Sequence, residues 1–372
     1  MSESGGGGRR VRCLGVEAPG RLYFWEYDEP PLAAGQARLE TLYTGLSAGT
    51  ELTFFKGSNP YLRSRWDEDL CLFEPSRPGA TFPVPFLGYM EVGRVLASRC
   101  GAVREGALLA MTYGHKSGHT ADLAQEFAVE LPEGLDPLLG IYVAQMGPIC
   151  ANGLLHAAAD AVGPRANTLA AGVNGRCVLV TGGGVIGLLI AAWARALGAA
   201  EVAVADATPE RLRAAAACGA LPIDANEEDA AVWAKQRWRH GPCDRGADVA
   251  FQCRGAGDAL HTALRSLRPQ AAVIDLAFYQ GGAAAVHLGE EFHHNGLRIQ
   301  CAQIGRPPRG MSHLWSRRRL AHETLQLLAD QGEALRRNLV TDVLPLEGAQ
   351  QVFEDLAARR RHALQVVFSV AR

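Results

Sequence analysis

The run Cys177-Val178-Leu179-Val180-Thr181 breaks into Gly182-Gly183-Gly184-Val185-Ile186-Gly187 and continues as an apolar stretch to Leu197. Five apolar or β-branched residues without alternation read as a strand buried on both faces, and the apolar stretch that follows reads as a buried helix. Passing from one to the other in six residues asks three things of glycine. Gly182 allows the tight turn, Gly184 lets the backbone approach a ligand closely, and Gly187 lets the helix pack against the strand. A buried strand feeding a buried helix belongs to a parallel sheet covered by helices. The centre of this chain is therefore α/β.

The context of the turn gives it chemistry. Val185 and Ile186 open the helix, so their N–H groups and the positive end of the helix dipole face whatever lies over the glycines, and a pyrophosphate suits that place. A second strand, Glu201–Ala205, ends in Asp206, and 206 − 187 = 19 residues after the last glycine. An acid there accepts hydrogen bonds from adenosine ribose hydroxyls and repels a 2′-phosphate. The expected ligand is a nicotinamide dinucleotide, NAD in preference to NADP. Arg211 either lies over the adenine or reaches a phosphate, or is a solvated helix residue.

Outward from the turn, strand and helix alternate from about residue 175 to 305. Candidate strands are Cys177–Thr181, Glu201–Ala205, Asp248–Cys253, Ala272–Ala277 and Leu297–Ile304; the clearest helices are Ile186–Leu197 and Pro209–Ala217. Before this lies a different texture, with short β-like runs between Gly/Pro turns: Ala37–Tyr43, Gly93–Ala97, Ala107–Met111 and Ala124–Val129. After it come a basic helical stretch (Ser316–Ala329), then Leu344–Leu356 and a strand-like Ala363–Val370. The expected division is a polar, disordered tail over 1–10, a β-rich domain over 11–158 and 309–372, and a doubly wound Rossmann domain over 159–308.

At 372 residues two domains are the natural expectation. A formal net charge of −2 offers no basic surface for nucleic acid or an anionic membrane. No stretch reads as a membrane span. Nine cysteines, none in a C-x-x-C pair, read as reduced thiols of a cytoplasmic protein.

With a Rossmann unit between two parts of a β-rich domain, the chain resembles the medium-chain dehydrogenase/reductase superfamily, of which zinc alcohol dehydrogenases are the best-known members. The resemblance rests on Tyr43-Thr44-Gly45-Leu46-Ser47-Ala48-Gly49-Thr50-Glu51, Gly88-Tyr89-Met90-Glu91-Val92-Gly93-Arg94-Val95, Leu131-Pro132-Glu133-Gly134, the glycine turn, and Leu344-Pro345-Leu346-Glu347-Gly348-Ala349. The S-x-G-T-E and G-Y-x-x-x-G-x-V variants resemble a subgroup related to bacteriochlorophyllide hydroxyethyl dehydrogenases. What the resemblance implies is a Rossmann sheet inserted in a GroES-like catalytic domain, hydride transfer with NAD, and a homodimer.

The resemblance breaks at the metal. The family's catalytic zinc takes a cysteine, a histidine and a later cysteine or acid, and zinc needs such donors. Here the cysteine position falls on Ser47 or Ala48, the histidine position on Tyr89, and only Cys150 remains as a counterpart of the third ligand. The expectation is no zinc. Another group must then handle the substrate oxygen and its proton. Tyr89 either donates its phenolic proton to a carbonyl or fills the space of the metal. Thr50 aligns with the family's hydroxyl relay, or caps a helix starting near Glu51. Glu51 matches an adjacent acid that more often orients loops. Ser47, His115 and Cys150 are candidate substrate contacts; His119 and the pair His293-His294 stand behind them. The long segment Gly57–Pro85 is either a lid over the substrate or a surface loop packed by its own aromatics.

The expected function is an NAD-dependent, zinc-independent oxidoreductase that interconverts a secondary alcohol and a ketone of a small molecule. Two alternatives stand beside it: a reductase of activated C=C or C=N bonds, and a nucleotide-binding protein that has lost catalysis.

Overall fold

The computed structural model describes residues 9–370. The expected disordered tail lies outside these residues except at its end, where the expectation fails. Arg10 begins a strand, and the Arg9 guanidinium donates to the Leu39 carbonyl at 2.8 Å. The chain divides into two units, Met1–Gln145 with Val340–Arg372, and Met146–Leu339.

The first unit is built on a seven-stranded sheet. Its main path runs Val340–Pro345, Gln365–Ser369, Gln36–Gly45, Glu91–Ser98, Leu108–Met111, Val129–Glu130, and Gly118–Asp122 pairs with Gln36–Gly45. Strand Gln36–Gly45 alternates buried and half-buried residues, as a strand with one covered face should. A hairpin, Arg10–Ala18 with Arg21–Asp28, joins helix α1 (Ala48–Phe55) and helix Ala349–Ala357 around a core containing Leu14, Phe55, Phe353 and Phe368. The C-terminal strand also fixes the start of α1. Buried Gln365 donates to the Leu46 carbonyl at 3.0 Å, just ahead of the helix.

The strand expected at Ala124–Val129 is displaced. Gly118–Asp122 is extended instead, and Glu126 closes the following turn by accepting from the Asp122 N–H at 2.9 Å. Segment 57–85 carries a short hairpin, Arg65–Asp67 with Leu72–Glu74, whose Phe73 packs on Tyr61 and Trp66.

The second unit holds a six-stranded parallel sheet in the spatial order Leu221–Asp224, Glu201–Asp206, Cys177–Thr181, Ala247–Gln252, Leu267–Asp275, Arg298–Cys301. Numbered along the chain this is 3-2-1-4-5-6, the order of a dinucleotide-binding fold. The helices are α2 (Met146–Val162), α3 (Val185–Ala196), α4 (Pro209–Ala217), α5 (Ala230–Arg237), α6 (Gly257–Ser266) and α7 (Arg317–Leu339). All five expected strands are present, and Leu221–Asp224 adds a sixth.

The expected domain bounds of 158 and 309 differ from the observed division, for a reason of packing. Helices α2 and α7 bind each other too closely to belong to separate units: a Cβ on Gly147 would lie 2.2 Å from Thr324 Cγ2. The second unit therefore begins at α2 and ends with α7. Among the described residues no helix is long and apolar enough to cross a membrane.

Candidate functional site

The glycine turn meets the demands read from sequence, with its three glycines in different situations. Gly182 has φ +99°, a left-handed conformation that disfavours any side chain. A Cβ on Gly187 would sit 2.0 Å from the Gly182 carbonyl oxygen, so only glycine lets α3 start this close to its strand. At Gly184, the N-cap of α3, an added Cβ meets nothing within 4 Å. Intrahelical bonding starts with Leu188, whose N–H donates to Gly184 at 2.9 Å. The N–H groups of Val185 and Ile186 belong to the first turn, which a helix leaves without internal acceptors.

Asp206 ends the second strand, buried, and closes over the same turn. Its Oδ2 accepts from the Gly183 N–H at 2.8 Å and its Oδ1 from the Thr208 N–H at 2.9 Å. Arg211 folds onto it, Nη1 3.4 Å from Oδ2. Arg211 is thus an ion-pair partner of Asp206, neither freely solvated nor standing alone. Each Asp206 oxygen keeps acceptor capacity for a ribose hydroxyl.

Sequence reading missed a polar group at the C-terminal ends of the neighbouring strands. Thr181 donates to Gln252 at 2.6 Å, and the Tyr279 hydroxyl donates to Asp275 at 2.9 Å. The Gln252 amide reaches the Tyr279 hydroxyl at 3.2 Å. Burial pushes the Asp275 carboxyl above its usual range, partly offset by bonds from Ala277 and Tyr279. Strand C-terminal ends are where open α/β sheets take ligands. The signal was present in polar residues closing two apolar strands.

In the first unit, three hydroxyls converge. The Tyr89 phenol is hydrogen-bonded to Ser47 Oγ, and Thr50 Oγ1 lies 3.4 Å from the same phenol oxygen. Ser47 is the N-cap of α1 yet makes no side-chain cap bond, since its hydroxyl is turned to Tyr89. Glu51 supplies the cap in reverse, its Oε1 accepting from the Ser47 N–H at 2.7 Å. Thr50 therefore sits inside the first turn and is not the cap. Burial raises the Tyr89 pKa; hydrogen bonds from Ser47 and Thr50 oppose this, and the charges of Glu51 and Glu91 add to it. The phenol keeps its proton.

Behind these hydroxyls lies a buried charged cluster. Glu51 Oε2 is 2.7 Å from His115 Nε2, and His115 Nδ1 is 2.6 Å from Thr44 Oγ1, which donates to Glu91 Oε1 at 2.9 Å. Burial alone would lower the His115 pKa, but the Glu51 charge and hydrogen bond, with help from Glu91, raise it. Burial raises the Glu91 pKa against the pull of His115, Gly114 and Thr44. Glu51 thus draws His115 toward its charged form, and burial draws Glu91 toward its neutral form. Sequence reading passed over Glu91, although an acid in the apolar run Met90–Val95 was a usable sign of a buried carboxyl.

Two expected substrate contacts are corrected. His115 has no exposed surface and both ring nitrogens are engaged, so it supports α1 and touches no substrate. Cys150 is also fully buried on α2; its thiol points to the Ile186 carbonyl at 3.7 Å, and burial drives its pKa far upward. A thiol with no exposed surface offers nothing for a substrate to touch. His119 stacks on Tyr113 and bonds Glu126 at 2.6 Å, which pins the strand Gly118–Asp122. His293 and His294 are exposed neighbours in a helical turn ahead of the last strand of the sheet.

A family described as zinc-binding dehydrogenase matches residues 185–316. That span contains neither Ser47 nor Tyr89. The chain is 25% identical over 335 residues to the D-guloside 3-dehydrogenase of Shigella flexneri, covering 86% of this chain and 88% of that protein. Its fold matches 2R,3R-butanediol dehydrogenase from Bacillus subtilis with TM-score 0.71 at 18% identity, over 96% of this chain and 99% of the other. It likewise matches an alcohol dehydrogenase from Thermotoga maritima with TM-score 0.72 at 19% identity, over 97% and 100%. The turn, the 3-2-1-4-5-6 sheet and the mixed-sheet unit agree with these likenesses: the chain has the fold of medium-chain dehydrogenases and is similar in sequence to members of that superfamily.

Proposed function

We propose that this protein is an NAD-dependent, zinc-independent dehydrogenase that interconverts a secondary alcohol and a ketone. The observation that carries the reading is the turn: crowded at Gly187, open at Gly184, with Asp206 closing over it. That is a cradle for a dinucleotide backbone beside an acceptor for ribose hydroxyls. When bound, the nicotinamide supplies or accepts the hydride. The relative named for dehydrogenation at position 3 of a D-guloside supports a hydroxylated small-molecule substrate.

Tyr89 is the proposed proton donor. Its raised pKa keeps the proton available at neutral pH, and it donates to the carbonyl oxygen as negative charge develops there. Ser47 and Thr50 orient the phenol, and the Ser47 hydroxyl is placed to pass a proton to it. Glu51 positions Ser47 and α1; one oxygen is taken by the Ser47 N–H and the other by His115. The Ser47–Tyr89 pair does not fit zinc, which takes thiolate, imidazole or carboxylate, whereas these are neutral hydroxyls bonded to each other.

Asp206 supports NAD over NADP, and the Arg211 guanidinium beside it moderates that preference. The edge strand Arg298–Cys301, with Ile299 exposed, supports pairing of two copies as a homodimer. The nine unpaired cysteines support a reducing, cytoplasmic setting. The test is titration of the metal-stripped protein with NADH and NADPH, followed by turnover on panels of polyols, ketones, enones and imines. Tighter NADH binding and turnover of a polyol or ketone support the reading. Turnover confined to enones or imines moves the reaction to C=C or C=N reduction, and absence of binding to both nucleotides refutes the proposal.

A further inference from the structure

Among the described residues outside the site described above, two groups of side chains have metal-ligand chemistry, both in the second unit. In the first, Cys177, His240 and Asp248 come together, but both Asp248 oxygens and His240 Nε2 are already in use. Asp248 Oδ2 accepts from the Cys177 N–H and Oδ1 from Arg268, while His240 Nε2 donates to the Gly246 carbonyl. The second group is His261 on α6 with His287 and Glu290 in the segment before the last strand of the sheet. There the donor set is open.

One potential ligand atom from each of His261, His287 and Glu290 lies within 4.8 Å of the others. The Nδ1 of His261 is buried and has no hydrogen-bond partner, an arrangement that leaves a desolvated lone pair unsatisfied. His287 Nδ1 is 3.2 Å from Glu290 Oε1, so the second imidazole and the carboxylate already face each other. The two imidazole rings are 4.9 Å apart between centroids and tilted by 52°. Two imidazoles bound to one zinc through bonds of about 2.0–2.1 Å place their ring centres roughly 4.5–5.2 Å apart at coordination angles near 90–110°. The observed spacing falls in that range.

The surrounding charge permits a cation. Arg265, one turn from His261 on α6, is committed to Asp229 at 2.9 Å and Glu291 at 3.4 Å. Its charge is thereby matched, and Glu290 remains for the metal. Val286 and Phe292 pack against the core cluster that includes Leu260 and Leu264, so the segment bearing two ligands is already seated beside the helix bearing the third.

We propose that His261, His287 and Glu290 form a divalent-metal site of zinc type, which ties the segment around residues 287–290 to α6. Two imidazoles and one carboxylate suit zinc, with the remaining position left to water. The site is separate from the Ser47–Tyr89 pair, and its existence does not depend on the proposed reaction.

The test uses the full-length protein, stripped with a chelator and dialysed against zinc, with metal content and melting temperature as readouts. One tightly held zinc per chain is expected, with a rise in melting temperature. His261→Gln and Glu290→Gln should each weaken zinc binding about tenfold or more and abolish that rise, while their metal-free melting temperatures stay near that of the parent protein. Cobalt substituted at the site should give a spectrum without a thiolate-to-metal charge-transfer band. Zinc content unchanged in both variants overturns the proposal, as does a cobalt–thiolate band, which would move the metal to Cys177. A stripped protein that takes up no zinc also overturns it.

Discussion

Two alanine substitutions three residues apart should separate the structural from the ligand-binding work of the glycine turn. In Gly187→Ala the new methyl meets the Gly182 carbonyl oxygen at 2.0 Å, with Val180 Cγ1 at 3.1 Å on the other side. Backbone has to move. Overpacking of this kind costs about 1–3 kcal/mol, and backbone contact argues for the upper end. For a unit of this size each kcal/mol shifts the melting temperature by about 2–4 °C, so a loss of roughly 6–12 °C is expected if the second unit melts on its own.

In Gly184→Ala the methyl meets nothing within 4 Å and φ is −75°, which alanine accepts. The cost is that of a poorer N-cap, about 1 kcal/mol or less. The methyl nevertheless projects into the open space where a pyrophosphate would approach. NADH affinity should fall about tenfold or more, corresponding to about 1.4 kcal/mol. Thermal melting and NADH fluorescence titration on both variants decide the matter. A Gly184→Ala protein that binds NADH like the parent would refute the assignment of that space to the dinucleotide, whatever its stability.

Three further outcomes follow from the geometry. Tyr89→Phe removes the proposed proton donor and should lower kcat by about 10²–10⁴ while leaving the NADH dissociation constant unchanged, as steady-state rates and fluorescence titration would reveal. Asp206→Asn keeps an acceptor for Gly183 but removes the charge that opposes a 2′-phosphate. The ratio of NADPH to NADH affinity should rise, and a ratio that stays constant removes Asp206 from cofactor choice. His115→Gln leaves the buried Glu51 carboxylate without its cation, at a cost of about 3–5 kcal/mol in chemical denaturation at neutral pH. His115 and Glu91 both have raised pKa values in the fold, so the native state binds more protons than the unfolded chain. Their stabilising contribution is complete below their ordinary values, about 6.5 for histidine and 4.5 for glutamate, and is lost as pH rises through the raised ones. In the parent protein stability should fall with rising pH across that window, and in His115→Gln the slope should be shallower.

The second unit was largely legible because its constraints are local. Cys177–Thr181 and Pro209–Ala217 have the bounds read from sequence, since glycine and proline mark where each must turn or start. Leu221–Asp224 was not legible: four residues with Pro222 among them carry no strand pattern, and the parallel neighbour Ala203–Asp206 is what makes them extended. Helix α7 was read as shorter and assigned to the wrong unit. Its arginine-rich outer face obscures the stripe Leu320, Leu327, Leu328 and Leu335, whose burial against the second unit only the packing reveals.

The candidate site divides the same way. Gly182, Gly184, Gly187 and Asp206 could be read from spacing, because one turn and the following strand create the site. Ser47, Thr50 and Tyr89 could be proposed only through family resemblance, since strand pairing between Gln36–Gly45 and Glu91–Ser98 brings them together. The role of His115 was not readable. On a polar loop a histidine looks like a surface residue, and its burial depends on Glu51, Thr44 and Glu91 meeting it from three other elements.

Metal dependence of turnover tests the central claim most directly, provided the peripheral site is silenced. Turnover of the His261→Gln protein with NADH and its best ketone should be measured after exhaustive chelation, with residual metal quantified, and again after adding zinc. The account predicts undiminished turnover without metal and its near-complete loss on adding Tyr89→Phe. Activity that vanishes on chelation and returns with stoichiometric zinc would contradict it.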